Sequence, residues 1–179
     1  MADWYSDVSS FKLILVNGSS KTELPLTAAD DHFTATFTAE SDGTYYLLVS
    51  HDAKDLGRTT KYQFNASATV NVGNKASQDL TANANPLKFS VAGQKLRQNI
   101  AVQSYFNGSP SDKTTVTVFS PAGWTKTIEA NTDGKAQFTP EWPGRYMIEV
   151  SRTDEETGDH HGKPYKSVWR CATHLIEVK

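Results

Sequence analysis

The sequence states one pattern twice. Residues 37–50 read FTAESDGTYYLLVS and residues 138–151 read FTPEWPGRYMIEVS, 101 residues apart without a gap. Phe37, Thr38, Glu40, Gly43, Tyr45, Val49 and Ser50 match Phe138, Thr139, Glu141, Gly144, Tyr146, Val150 and Ser151. Each copy is a turn running into a strand. Pro140 and Pro143 bar residues 140–144 from a sheet ladder, so that stretch is a corner. Tyr146, Ile148 and Val150 then alternate with Arg145, Met147 and Glu149, the period of a strand with one buried face. Both copies carry Gly-x-Tyr at the strand start, where a tyrosine hydroxyl can tie down a β-sandwich corner. The repeat predicts an all-β chain of two tandem immunoglobulin-like antiparallel β-sandwiches.

The rest of the chain fits that plan. Its 179 residues divide into two units near the size of such a domain, about 100 residues. Residues 1–73 form the expected first domain, 74–85 a linker and 86–179 the second. The stretch GNKASQDLTANAN is small, polar and poor in large apolar residues, as linkers are. Strands are expected over 11–16, 22–26, 32–38, 44–50, 59–72, 87–91, 96–106, 114–119, 124–129, 135–139, 145–152 and 167–178, with an edge segment at 4–8. Residues 51–57 and 153–164 read as polar loops. No amphipathic helix is evident, and short Thr-rich strands between turn signals argue for an all-β fold.

Composition excludes several roles. A net charge of −2 with no basic run gives no electrostatic basis for binding nucleic acid. No apolar run approaches the roughly 18 residues of a membrane-spanning helix. The single Cys171 lies in an expected strand and reads as a small buried thiol. No signal peptide is visible ahead of Trp4; an exported chain would have lost its signal before Met1.

The most chemically loaded stretch is TDEETGDHHG at 153–162. Asp154, Glu155, Glu156 and Asp159 offer carboxylates and His160 and His161 imidazoles, donors suited to zinc, nickel or copper, and Glu156, Asp159, His160 and His161 are the candidate ligands among them. On an extended chain the two adjacent imidazoles should point apart. His51 and Asp52 follow the first copy of the repeat as Arg152 and Thr153 follow the second. If the two loops lie on one side of the molecule, these six groups converge. The aromatic residues Trp124, Trp142, Tyr165 and Trp169 offer a different chemistry, a platform for stacking sugars. No nucleophile elbow, zinc-protease helix or phosphate loop is present, so the chain reads as non-enzymatic. Cys171 and His174, three apart on a strand, point to opposite faces and form no dyad.

Three segments of the second half resemble a known family. Val116-x-Val118-Phe119-Ser120-Pro121-Ala122-Gly123-Trp124 is similar to its V-x-V-[YF]-x-P-x-G-W segment. Trp142-Pro143-Gly144-Arg145-Tyr146 resembles its W-[PA]-G-R-Y segment. Gly158-Asp159-His160-His161-Gly162-Lys163-Pro164-Tyr165, with Trp169 and Ala172-Thr173, resembles its ending. This is the bacterial exported family called domain of unknown function 4198, whose C-terminal part is similar to transthyretin-like and carboxypeptidase-regulatory-like sandwiches. Asn131 stands where members often carry Asp, so this position carries no charge here. Some members sit beside nickel or cobalt uptake transporters and others beside outer-membrane receptors. The resemblance therefore implies a periplasmic or otherwise exported binding or accessory protein. It further implies a divalent transition metal as ligand and a membrane transporter or outer-membrane receptor as partner. The alternative, carried by the aromatics, is a carbohydrate-binding or cell-surface adhesion module.

Overall fold

The computed structural model describes residues 10–73 and 83–179. Regular structure within them is all strand, in several sheets. The first half holds β1 (Leu13–Asn17), β2 (Ser20–Leu24), β3 (Thr27–Ala28), β4 (Phe33–Thr34), β5 (Gly43–Asp52) and β6 (Thr60–Val72). The second half begins with β7 (Leu87–Ala92), β8 (Ile100–Phe106), β9 (Ser109–Pro110), β10 (Thr115–Phe119) and β11 (Thr125–Glu129). It continues with β12 (Lys135–Phe138), β13 (Gly144–Asp154), β14 (Gly158–His160), β15 (Lys163–Tyr165) and β16 (Ser167–Val178).

One eight-stranded sheet runs through both halves in the order β11-β10-β13-β16-β6-β5-β1-β2. A smaller sheet, β12-β8-β7 with β9 on β8, belongs to the second half. The large sheet is not wholly antiparallel. β6 and β16 meet in parallel, from Thr60 opposite Ser167 to Ala66 opposite Thr173. β5 is antiparallel to β6, and β13 is antiparallel to β16. The starts of β5 and β13 therefore lie at one end of the sheet, and their following loops at the other.

Register across this seam also sets which face each half buries. Val49 pairs with Ala66 in the first half, and Val150 pairs with Ala172 in the second. Ala66 and Ala172 thus hold corresponding places, yet Ala66 pairs across the seam with Thr173. A one-residue stagger turns side chains to the opposite face. Tyr146, Ile148 and Val150 face the small sheet and join Leu87, Phe89, Ile100, Val102, Ala136 and Phe138 in one core. Tyr45 and His51 face the other way. Tyr45 meets Phe37 at 5.5 Å between ring centroids, and His51 meets Phe11, itself stacked on Phe33. Each fully buried Val, Ile or Leu contributes roughly 1.5–3 kcal/mol, so the second half's core is the larger reserve. β5 is buried on both faces, because Tyr46 and Leu48 pack with Val16 and Ile14 opposite Tyr45 and Val49.

The repeated Gly-x-Tyr does what its position predicts. The Tyr45 hydroxyl donates to the Ser41 carbonyl at 2.9 Å and accepts the Ser41 amide at 3.1 Å. The Tyr146 hydroxyl donates to the Trp142 carbonyl at 3.0 Å and accepts the Trp142 amide at 3.3 Å. Gly43 and Gly144, at φ 153° and 127°, make the bend that brings each corner over its tyrosine.

Other expectations change. Residues 153–164 are not a plain loop. β13 runs on to Asp154, and β14 and β15 form a hairpin turned at His161 and Gly162, with φ 53° and 78°. The strand expected from residue 96 starts at Ile100, since Lys95–Gln98 is a turn with Arg97 at φ 58°. Of residues 32–38 only Phe33–Thr34 is strand; Phe37 packs on Tyr45 from irregular chain. The edge segment at 4–8 and the expected linker as far as residue 82 lie outside the described residues. Residues 83–85 dock on the first half, where the Asn85 side-chain amide donates to Val49 O at 3.0 Å and Ala66 O at 3.3 Å.

Candidate functional site

Because β6 and β16 run in parallel, the connection after β5 and the hairpin after β13 emerge side by side. Several bonds join them. The Lys166 amide donates to Thr59 O at 2.8 Å, Lys163 Nζ lies 3.3 Å from Asp55 Oδ1, and Lys61 sits over the Tyr165 ring. His160 Nε2 lies 2.8 Å from the Ala53 carbonyl, which accepts. A carbonyl can only accept, so Nε2 donates in that bond.

A cleft of about 460 Å³ results, lined by Ser10, Ser50, His51, Asp52, Gln63, His160 and His161. The two stretches named from sequence thus meet, although His51 and Asp52 end β5 rather than opening a loop, and four of the six candidate groups share one cleft. The expectation that the adjacent imidazoles point apart is corrected. Their rings are 4.3 Å apart at 58°, because His161 takes a positive φ in the turn rather than extended geometry. His51 is buried, and its Nε2 has no hydrogen-bond partner among the described residues.

The carboxylates are committed elsewhere. Asp52 accepts from Gln63 Nε2 at 3.0 Å and pairs with Lys61 at 3.3 Å. Asp159 accepts the Gly162 amide at 2.8 Å and so caps its own turn. Glu156 pairs with Arg170 at 2.7 Å. Among the described residues no three His, Cys, Asp or Glu side chains are grouped to hold a metal ion. Of the six candidates, His160 and His161 bring their two imidazole rings against each other.

The aromatic group divides. Trp169 packs on Tyr62 and Phe64 at the histidine end of the sheet. Tyr165 lies there too, under Lys61. Trp124 and Trp142 stand 6.2 Å apart at the opposite end, beside the start of β13. The eleven residues of β13 separate the pairs by roughly 35 Å, so the four form no single platform.

One polar cluster escaped the sequence reading. Arg152 donates through Nε to Asp154 Oδ2 at 2.8 Å and through a second nitrogen to Oδ1. Arg170 donates to Asp154 at 3.0 Å, and Arg152 to Ser111 Oγ at 2.7 Å. Both guanidiniums are nearly enclosed over the Phe106 ring. Burial on its own would raise the Asp154 carboxyl, but bonds and charge from Arg152 and Arg170 outweigh it and hold the group below its ordinary value. Part of the signal was present: Arg152 and Asp154 share a strand face by period two.

Asn131, where the resembled family often has Asp, accepts the amides of Asp133 at 3.0 Å and Lys135 at 2.8 Å. A neutral carbonyl suffices for that turn. Cys171 is a buried free thiol, pushed up to about 12 by burial and then by the charge of Glu149. It faces away from His174, whose Nδ1 meets Ser67 O at 2.8 Å. No protein-family model matches the chain, and no curated protein sequence matches it.

Proposed function

We propose that this chain is a non-catalytic, exported binding or accessory protein built from two tandem β-sandwiches. One observation carries the reading: the stretches that follow the two copies of the repeat converge, and bring His51, His160 and His161 to a single cleft. The tandem plan is supported by the two tyrosine corners, made by the same atoms in each half. It is supported too by the paired strand order either side of the β6–β16 seam. The immunoglobulin-like or transthyretin-like character rests on the corner geometry and on the resemblance. A non-catalytic role fits a thiol held protonated and buried, and acids already engaged with arginine, lysine or their own turn.

His160 and His161 would hold a divalent transition metal of the nickel or cobalt type. Two imidazoles without a carboxylate make a weak, exchangeable site, suited to delivery rather than to permanent structure. A membrane transporter or outer-membrane receptor is the corresponding partner, as the family resemblance implies, and the periplasm the corresponding compartment. Among the described residues no helix is long and apolar enough to cross a membrane.

Thermal melting with Ni²⁺, Co²⁺, Zn²⁺ and Cu²⁺, with and without chelator, tests the reading. A metal at about 100 times its Kd adds roughly 2.7 kcal/mol of stability. The shift should vanish in His160→Ala/His161→Ala and weaken toward acid pH, because protons compete with the metal for imidazole nitrogen. A wild-type melt indifferent to all four metals, or a shift that survives the double substitution, refutes it.

A further inference from the structure

The far end of the large sheet holds a second cleft, unrelated to the histidines. It has a volume of about 380 Å³ and is lined by Trp124, Thr125, Lys126, Thr139, Glu141 and Trp142. Trp142 is 40% exposed, with Met147 and Leu175 one of three exposed large apolar side chains among the described residues. The corner beneath it does not need an indole. The tyrosine hydroxyl bonds only the backbone of residue 142, and in the first half Ser41 satisfies the same two bonds. The molecule thus contains its own control: a serine completes the corner where tryptophan stands in the second copy. The fold leaves the exposed indole unexplained.

Its surroundings suggest a use. The backbone of Trp124 is fixed by Ser120, whose Oγ accepts the Trp124 amide at 3.1 Å and whose own amide donates to Trp124 O at 3.0 Å. The two indoles therefore form a wedge, 6.2 Å between ring centroids and tilted at 57°. Around it stand two threonine hydroxyls, a carboxylate and an ammonium. The side chains of Glu141 and Lys126 make no hydrogen bond or ion pair among the described residues. Preformed aromatic surface with a few convergent polar groups marks a ligand site, and volumes of about 300–1,000 Å³ are usual. An amphipathic ring with an apolar body and a polar handle matches a sugar, whose axial C–H bonds form an apolar face while its equatorial hydroxyls point outward.

We infer that Trp142, with Trp124 and Glu141, is a binding subsite for gluco-configured, β-linked glycans. The Trp142 indole stacks on the C–H face of one pyranose. The Glu141 carboxylate accepts from ring hydroxyls, and Lys126 and the threonines donate to ring oxygens. An open wedge takes an internal unit of a chain rather than an isolated monosaccharide. Trp169 and Tyr165 lie at the opposite end and take no part.

Affinity electrophoresis in gels containing hydroxyethyl cellulose or glycol chitin tests this, with tryptophan-fluorescence titration by cellohexaose and chitohexaose. Wild type should be retarded by at least one polymer and its emission should saturate with the matching hexaose. Trp142→Ser, which recreates the first half's corner, should bind at least tenfold more weakly. Glu141→Ala, a change of one exposed carboxylate, should also weaken binding several-fold and serves if Trp142→Ser fails to fold. His160→Ala/His161→Ala should bind glycan as wild type does, which separates this site from the metal reading. Absence of retardation and of titration by both glycans overturns the inference. So does binding by Glu141→Ala and a folded Trp142→Ser within twofold of wild type.

Discussion

Replacing each corner tyrosine by phenylalanine asks whether the two copies are equivalent in energy as well as in pattern. Tyr45→Phe and Tyr146→Phe each delete one hydroxyl and two backbone hydrogen bonds, to the amide and carbonyl of Ser41 or of Trp142, and Tyr45→Phe also a long 3.5 Å contact to Ser41 Oγ. The ring contacts stay: Tyr45 on Phe37 at 5.5 Å, Tyr146 on Phe138 at 6.0 Å. A typical hydrogen bond contributes a net ~0.5–1.5 kcal/mol, so two give about 1–3 kcal/mol. The orphaned backbone groups are only partly buried and recover some bonding to water, which places each loss near the lower half of that range, about 1–2 kcal/mol. At 2–4 °C per kcal/mol for a chain of this size, Tm should fall by roughly 2–8 °C. Urea unfolding followed by circular dichroism and tryptophan fluorescence measures both variants and the double. The corners share no contacts, so the double should equal the sum within about 0.5 kcal/mol. A loss below ~0.3 kcal/mol at one corner, with a full loss at the other, would refute the equivalence. A negligible loss at both would show that the hydroxyls do not hold the corners at all.

Four further outcomes follow from buried groups. Burial raises the Glu149 carboxyl, so its contribution to stability is present below the unfolded-state value and declines as pH rises through the folded one; Glu149→Gln should raise Tm at pH 7 and confer less at pH 4. The Cys171 thiol, buried and pushed up to about 12, should resist a thiol-reactive chromophore in the native state and react fully in denaturant. Asp154 is held low by Arg152 and Arg170, so its contribution persists above about pH 4 and is lost as pH falls through the folded value. Asp154→Asn should remove that part of the acid unfolding curve and, by leaving enclosed Arg152 with only the Ser111 hydroxyl and Arg170 with only Glu156, cost about 2 kcal/mol at pH 7 by denaturant titration. Gly134 sits at φ 75°, and a Cβ there would lie 2.7 Å from Ser111 O and 2.8 Å from Ser111 N. Gly134→Ala should therefore cost more than the ~1–2 kcal/mol of a left-handed backbone alone, read as a shifted urea midpoint.

What could be read in the sequence was local. The turn-then-strand repeat gave both tyrosine corners, because a corner is made by residues four apart. Period two placed Cys171 and His174 on opposite faces, as found. Chemistry misled where it drew attention from turn signals: Gly158 opens a hairpin and Gly162 sits in its turn, yet the acid and histidines between them suggested a loop. The meeting of His51 with His160 depends on residues 107–109 positions apart, and nothing in either stretch encodes it. The division of the aromatics had the same origin. Trp142 and Trp169 are 27 residues apart in a sequence that first crosses the sheet along β13.

The β6–β16 seam decides both matters that local pattern leaves open. Its direction determines which loops meet: an antiparallel seam would send the loops after β5 and β13 to opposite ends, and no shared histidine cleft would exist. Its stagger determines which faces are buried: an in-register seam would turn Tyr45 and Tyr146 to the same side. Side chains that cross it hold the stagger. Asn65, 1% exposed, donates to Cys171 O at 3.2 Å, and His174 reaches back to Ser67 O at 2.8 Å. Thr60 and Ser167 join hydroxyls at 2.8 Å where the pairing begins. Each bond joins a side chain on one strand to a partner on the other at fixed offset, so a one-residue slip breaks all three. Backbone pairing alone is nearly indifferent to such a slip, whereas these contacts and the two opposed cores are not. The cleft at one end and the tryptophan wedge at the other thus depend on polar residues that touch neither.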